Sequence, residues 1–165
     1  MKKSVSLKLI VFSFLLVATS ITYSAPVFQV GTDTDSTVAG VGNEASGNSS
    51  SAFGFKNKAS RFLSSAFGAN NKASRSGSSA FGYRNEASGN GSSAFGANNK
   101  TSGSRSSAFG FKNFAKGENS SSFGYQNTVS GENSSSFGNQ YKVTGEASGA
   151  FGVGKATWNS TTAEN

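Results

Sequence analysis

The sequence predicts an all-β fold: a parallel β-solenoid of about nine 14-residue turns, following a cleaved signal peptide. Three observations predict it. Phe-Gly recurs every 14 residues, at Phe53, Phe67, Phe81, Phe95, Phe109, Phe123, Phe137 and Phe151, with no insertion or deletion. Other columns hold the same phase: Ala or Ser before the Phe, Ser two before, Asn four after and Ala or Val six after. Finally, from Ala25 onward Leu, Ile, Val and Phe supply only 21 of 141 residues, with Leu63 the one Leu and no Ile. A chain so poor in large apolar residues is disordered unless a regular pattern uses them efficiently.

Residues 1–24 read as the signal peptide. Lys2, Lys3 and Lys8 precede the apolar run Leu9 to Val17, and small residues stand around Ser24-Ala25. The run is short for a bilayer span, which takes about 20 apolar residues. No later segment is apolar enough to cross a membrane as a helix. Cleavage removes three Lys and no acid, so the net charge falls from +7 to +4. Residues 25–35 form an N-terminal cap segment, with Val27, Phe28 and Val30 set to cover the open end of the first turn. Residues 36–154 hold the repeats and 155–165 a tail, where Trp158 is set to cover the other end.

A 14-residue unit is too short for a helix pair and suits one solenoid turn, with two short strands and two tight turns. Ser-Ser-Ala-Phe-Gly makes one strand and Asn-x-Ala-x-Gly the other. Alternation puts Phe on one face with the Ser two before it. On the second strand Asn, Ala and Gly share a face, while Lys58, Lys72, Glu86 and Lys100 point the other way. Stacking about 4.8 Å apart turns the columns into ladders. Phe is expected to form the structural core of the repeat, facing either the roll interior or a subunit interface, and Asn a ladder hydrogen-bonded along the axis. The column Gly47, Gly89, Gly103, Gly117, Gly131 is expected at positive φ, with Arg61 and Arg75 as misfits. One Phe per turn is a thin core against the entropy of ordering each turn, so self-association is expected.

The unit Ser93-Ala94-Phe95-Gly96-Ala97-Asn98-Asn99-Lys100-Thr101-Ser102-Gly103 resembles the YadA-like head (Hep/Hag) repeats of trimeric autotransporter adhesins. Their usual unit has Val and Ile where this chain has Ser and Phe. The resemblance covers about residues 36–154. It implies a left-handed parallel β-roll, a homotrimer, and display on a bacterial surface or release from it. It also implies a host extracellular-matrix or cell-surface ligand, or binding to its own kind. One departure stands out. Relatives continue into a coiled-coil stalk and a membrane barrel, whereas the 14 residues after Phe151 show neither heptads nor barrel-like alternation. A head portion without its own stalk or anchor is the expectation.

The composition excludes most enzyme chemistry. There is no Cys and no His, hence no thiolate nucleophile, imidazole base or His-ligated metal. No catalytic, cofactor or metal residue is assigned. Asp33 and Asp35 read as a solvated loop, because nothing completes a calcium loop around them. Lys58, Lys72 and Lys100 share one column and Arg61 and Arg75 another, which marks them as a candidate ligand surface for polyanions. No specific nucleic acid is predicted. The leading reading is a non-enzymatic adhesin-like head. The alternatives are an ice- or polyanion-binding solenoid, and a purely structural matrix subunit.

Overall fold

The computed structural model describes residues 29–158, with side chains through Gly152. The signal-peptide segment, Val27 and Phe28 lie outside the described residues, as does the side chain of Trp158. The described chain is a β-solenoid without helices. Each turn carries one five-residue strand, such as Ser51–Phe55, and one two-residue strand, such as Lys58–Ala59. Eight complete turns stack, and a ninth begins at Gly149.

Stacking is parallel and in register. Ser93, Ala94, Phe95 and Gly96 lie beside Ser107, Ala108, Phe109 and Gly110, and beside Ser79, Ala80, Phe81 and Gly82 on the other side. The hydrogen-bond ladder also runs through both turns. Asn70 N–H donates to the Phe55 carbonyl at 2.8 Å, and Leu63 N–H to the Asn48 carbonyl at 3.0 Å. Few backbone groups are therefore left for a core to cover.

The interior decides which way the Phe column faces. Ala52, Ala66, Ala80, Ala94 and Ala108 are fully buried, and so are their partners across the coil, Ala59, Ala73, Ala87, Thr101 and Ala115. The gap between the two strands of a turn is filled by methyl-sized groups. Of the two positions open to the Phe core of the repeat, the roll interior is therefore taken by Ala, and the Phe residues lie on the outer face of the long strand. Phe53, Phe67, Phe81, Phe95, Phe109 and Phe123 are half-buried there, and Phe137 and Phe151 are 62% and 74% exposed. The outward position of Lys58, Lys72 and Lys100 matches the expected alternation.

The Asn ladder forms as expected and lies inside the coil. Asn57, Asn71, Asn85, Asn99, Asn113 and Asn127 are at most 1% exposed. Each amide donates to two carbonyls and to the Asn one turn before; Asn99 Nδ2 reaches Phe95 O and Gly110 O at 2.7 Å. At the C-terminal end Tyr141 takes the Asn place. Its N–H donates to Asn127 Oδ1 at 2.8 Å, and its ring packs in a buried cluster with Val129, Val143 and Ala150.

The turn glycines differ from expectation. The column Gly47, Gly89, Gly103 does not take positive φ. It is glycine for lack of space: a Cβ at Gly89 would sit 1.9 Å from the Gly103 carbonyl oxygen. Positive φ falls instead on the Gly after each Phe, as at Gly54 (φ 113), and on two further residues in each turn, as at Lys56 (φ 52) and Leu63 (φ 53).

The N-terminal end is closed mainly by backbone. Gln29–Val30 pairs antiparallel with Thr37–Val41, and Thr32 N–H donates to the Ala45 carbonyl at 3.1 Å. Val30 itself is 81% exposed, so its side chain does not cover the open end as expected. At the other end the last strand extends to Trp158, paired with Val143.

Candidate binding surfaces

The coil offers two sheet faces and two turn edges. On the long-strand face, six Phe rings from Phe53 to Phe123 stack 4.8–4.9 Å apart with planes within 6° of parallel. The Ser two before each Phe flanks this stripe. The stack loosens at Phe137, whose ring is 6.5 Å from Phe123 and tilted by 32°. There an open cleft of about 310 Å³ is lined by Ser121, Phe123, Ser135, Ser136, Phe137 and Phe151. A continuous apolar stripe of this length on one face is the usual mark of an interaction surface.

The short-strand face carries Lys58, Lys72 and Lys100, which stacking brings into one column. Carboxylates interleave with them. Lys58 Nζ lies 2.8 Å from Glu44, and Glu86 sits between Lys100 at 2.9 Å and Lys72 at 3.7 Å. The hydrogen bond from Lys100 holds the Glu86 carboxyl below its ordinary pKa. Partial burial opposes that shift, and the charges of Lys100 and Lys72 reinforce it. This column is thus close to internally neutralised.

Arg61 and Arg75 stand at a turn edge, apart from the Lys column. Phe62 and Leu63 beside them are each 53% exposed. Further along this edge Arg105 pairs with Glu118. Asp33 and Asp35 stay in the loop before the first complete turn, where Asp33 Oδ1 accepts the Thr34 N–H at 2.8 Å. Among the described residues no three carboxylates gather at a metal-sized site.

The opposite turn edge holds an arrangement that the sequence reading did not assemble. Phe55, Tyr83 and Phe111 are followed by Lys56, Arg84 and Lys112, and each cation lies over the preceding ring. The distances to the ring centroids are 5.0, 4.9 and 5.2 Å. The intervening turns carry Ala69-Asn70 and Ala97-Asn98. The sequence places Phe55, Tyr83, Phe111 and Tyr125 in one column two residues after the repeat Phe, but that column alone does not show the cation laid over three of the rings; Tyr125, followed by Gln126, stacks on Phe111 at 5.5 Å.

The sequence matches the YadA head domain repeat over residues 34–60, 63–85, 87–113 and 115–140. The chain belongs to the YadA head family. A comparison with curated proteins finds no match. YadA heads are parts of trimeric adhesins of bacterial surfaces, and both family and fold are typically non-enzymatic.

Proposed function

We propose that this chain is an exported, non-enzymatic adhesin head that works as a homotrimer and binds host matrix, host cells or its own kind. The observation that carries the reading is the outward Phe ladder. The coil is filled by Ala, Ser and Asn without it, so the rings do not serve the interior of their own turn. Six half-buried rings in one stripe favour association with identical stripes, and closed symmetry lets three copies bury them together. Membership of a family known for trimeric adhesins supports three copies as the number. Export follows from the reading of residues 1–24 as a signal peptide.

Light scattering during size-exclusion chromatography tests the assembly. The expected mass is that of three chains, and the double substitution Phe81→Ala, Phe95→Ala lowers it toward one. Ala39 already occupies the Phe place in the first complete turn, so Ala is compatible with the coil. A compact monomer for the unaltered protein rejects the trimeric reading. Binding of the trimer to immobilised collagen, fibronectin, cells or itself tests the adhesin role, and failure across that panel rejects it.

A further inference from the structure

We propose that the edge bearing Phe55-Lys56, Tyr83-Arg84 and Phe111-Lys112 binds a linear acidic polysaccharide of the sulfated type, which takes one repeat of its chain for every two turns of the solenoid. The proposal deepens the adhesin reading by naming a ligand class, and rests on it.

Three features point to this ligand. The first is spacing. Aromatic–cation pairs recur in every second turn, about 9.6 Å apart at twice the strand spacing. That step is the length of two pyranose units in an extended chain. The second is charge. Neither the column from Val41 to Asn139 nor the one from Gly42 to Gln140 contains an acid. The nearest outward carboxylates, Glu44 and Glu86, are engaged by Lys58, Lys72 and Lys100. Lys56, Arg84 and Lys112 have no ion pair among the described residues, and their contact with a ring leaves their charge uncompensated. The third is the ring surface. Phe55 and Tyr83 are 44% and 42% exposed, and Ala69 and Ala97 leave notches between the rings. A ring with a cation beside it suits a sugar, whose C–H face packs on the ring while its sulfate or carboxylate meets the cation.

A nucleic acid fits this edge less well. Its phosphates recur about every 3.4 Å along each strand, far more densely than one cation per two turns. Single-strand binding also stacks successive bases on successive rings, whereas here Ala69 and Ala97 interrupt the column between Phe55 and Phe111, and only Phe111 and Tyr125 are ring neighbours in successive turns, 5.5 Å apart.

The protein supplies its own controls. Ala69 and Ala97 occupy the ring column, and Asn70 and Asn98 the cation column with the same positive φ as Lys56 and Arg84. Two triple variants, Phe55→Ala, Tyr83→Ala, Phe111→Ala and Lys56→Asn, Arg84→Asn, Lys112→Asn, therefore repeat residues that the coil already accepts. Heparin serves as probe in surface plasmon resonance, with the mass of every sample checked by light scattering. The unaltered protein is expected to bind heparin in a salt-sensitive way, and each triple variant to lose about tenfold or more in affinity. The variant Lys58→Gln, Lys72→Gln, Lys100→Gln is expected to stay within about threefold, since its cations are neutralised in place. A trimer that does not bind heparin overturns the proposal and leaves the adhesin head standing. Equal or tighter binding of duplex DNA at matched charge overturns it in favour of a nucleic acid. Equal loss in the Lys58, Lys72, Lys100 variant overturns it in favour of diffuse charge. A ring variant that dissociates the trimer assigns this column to the subunit interface and overturns it as well.

Discussion

Asn85 N–H donates to Asn71 Oδ1 at 3.0 Å, joining the backbone of one turn to a side chain of the turn before it. Asn85 Nδ2 reaches the same oxygen at 3.2 Å, and the carbonyls of Phe81 and Gly96 at 2.7 Å. Asn85 Oδ1 in turn accepts from Asn99. One buried side chain, only 1% exposed, therefore serves three consecutive turns.

Replacement of Asn85 by Ala is expected to destabilise the protein by about 3 kcal/mol or more. It leaves buried donors and acceptors without partners, each costing about 1–3 kcal/mol. Asn85→Asp is expected to do at least as much damage, because a carboxylate cannot donate to the Phe81 and Gly96 carbonyls. Urea unfolding followed by circular dichroism measures both at one protein concentration, since association contributes to stability. A loss below about 1 kcal/mol for Asn85→Ala would show that the ladder is dispensable.

This ladder was legible in the sequence, and the side taken by Phe was not. An Asn every fourteenth residue, in phase with a two-strand unit, has one economical use: hydrogen bonding along the stack. Alternation also correctly separated Ala52 from Phe53 and Asn57 from Lys58. Which of the separated faces points inward depends on the distance between the two strands of a turn, and one repeat does not state that distance. The turn glycines misled for a related reason. Gly47 and Gly89 are set by the close approach of the next turn, while positive φ falls at Lys56, Arg84 and Leu63, residues that do not advertise it. The aromatic column of this edge was legible, but the placing of Lys56, Arg84 and Lys112 over the preceding rings was not, because it depends on the positive φ of those three residues.

Thr101 stands in the Ala column of the short strand, fully buried, and its hydroxyl has no hydrogen-bond partner. Val129 and Val143 occupy the same column, so the coil accepts the shape of Val there. Thr101→Val is therefore expected to stabilise by about 1 kcal/mol, by removing an unsatisfied buried oxygen without changing volume. A raised urea midpoint with an unchanged slope checks it. A lowered midpoint would mean that the hydroxyl has a partner in the assembled protein.

Leu63 holds φ 53, where the equivalent turns carry Gly77, Gly91, Asn119 and Asn133. An L-residue with a bulky side chain is disfavoured there by about 1–2 kcal/mol, and Asn suffers less. Leu63 is also 53% exposed, so little burial offsets the strain within one chain. Leu63→Asn is expected to stabilise the isolated protein by about 1 kcal/mol. Thermal unfolding reads this directly, and destabilisation would indicate that a partner covers Leu63.

Glu86 links the charge ladder to pH. The hydrogen bond from Lys100 lowers its pKa, burial works against this, and the charges of Lys100 and Lys72 add to the lowering. The folded protein then holds its proton less tightly than the unfolded chain does. The resulting stabilisation is complete above the unfolded pKa and is lost as pH falls through the folded one. For a pair this close to solvent it amounts to no more than about 1 kcal/mol. The expected outcome is a stability difference between the unaltered protein and Glu86→Gln that is steady near neutral pH and shrinks as acid is added below the ordinary carboxylate range. Added salt weakens it at neutral pH. Unfolding midpoints for both proteins across that range measure it, and a difference that grows in acid would show that burial raises the Glu86 pKa by more than Lys100 and Lys72 lower it.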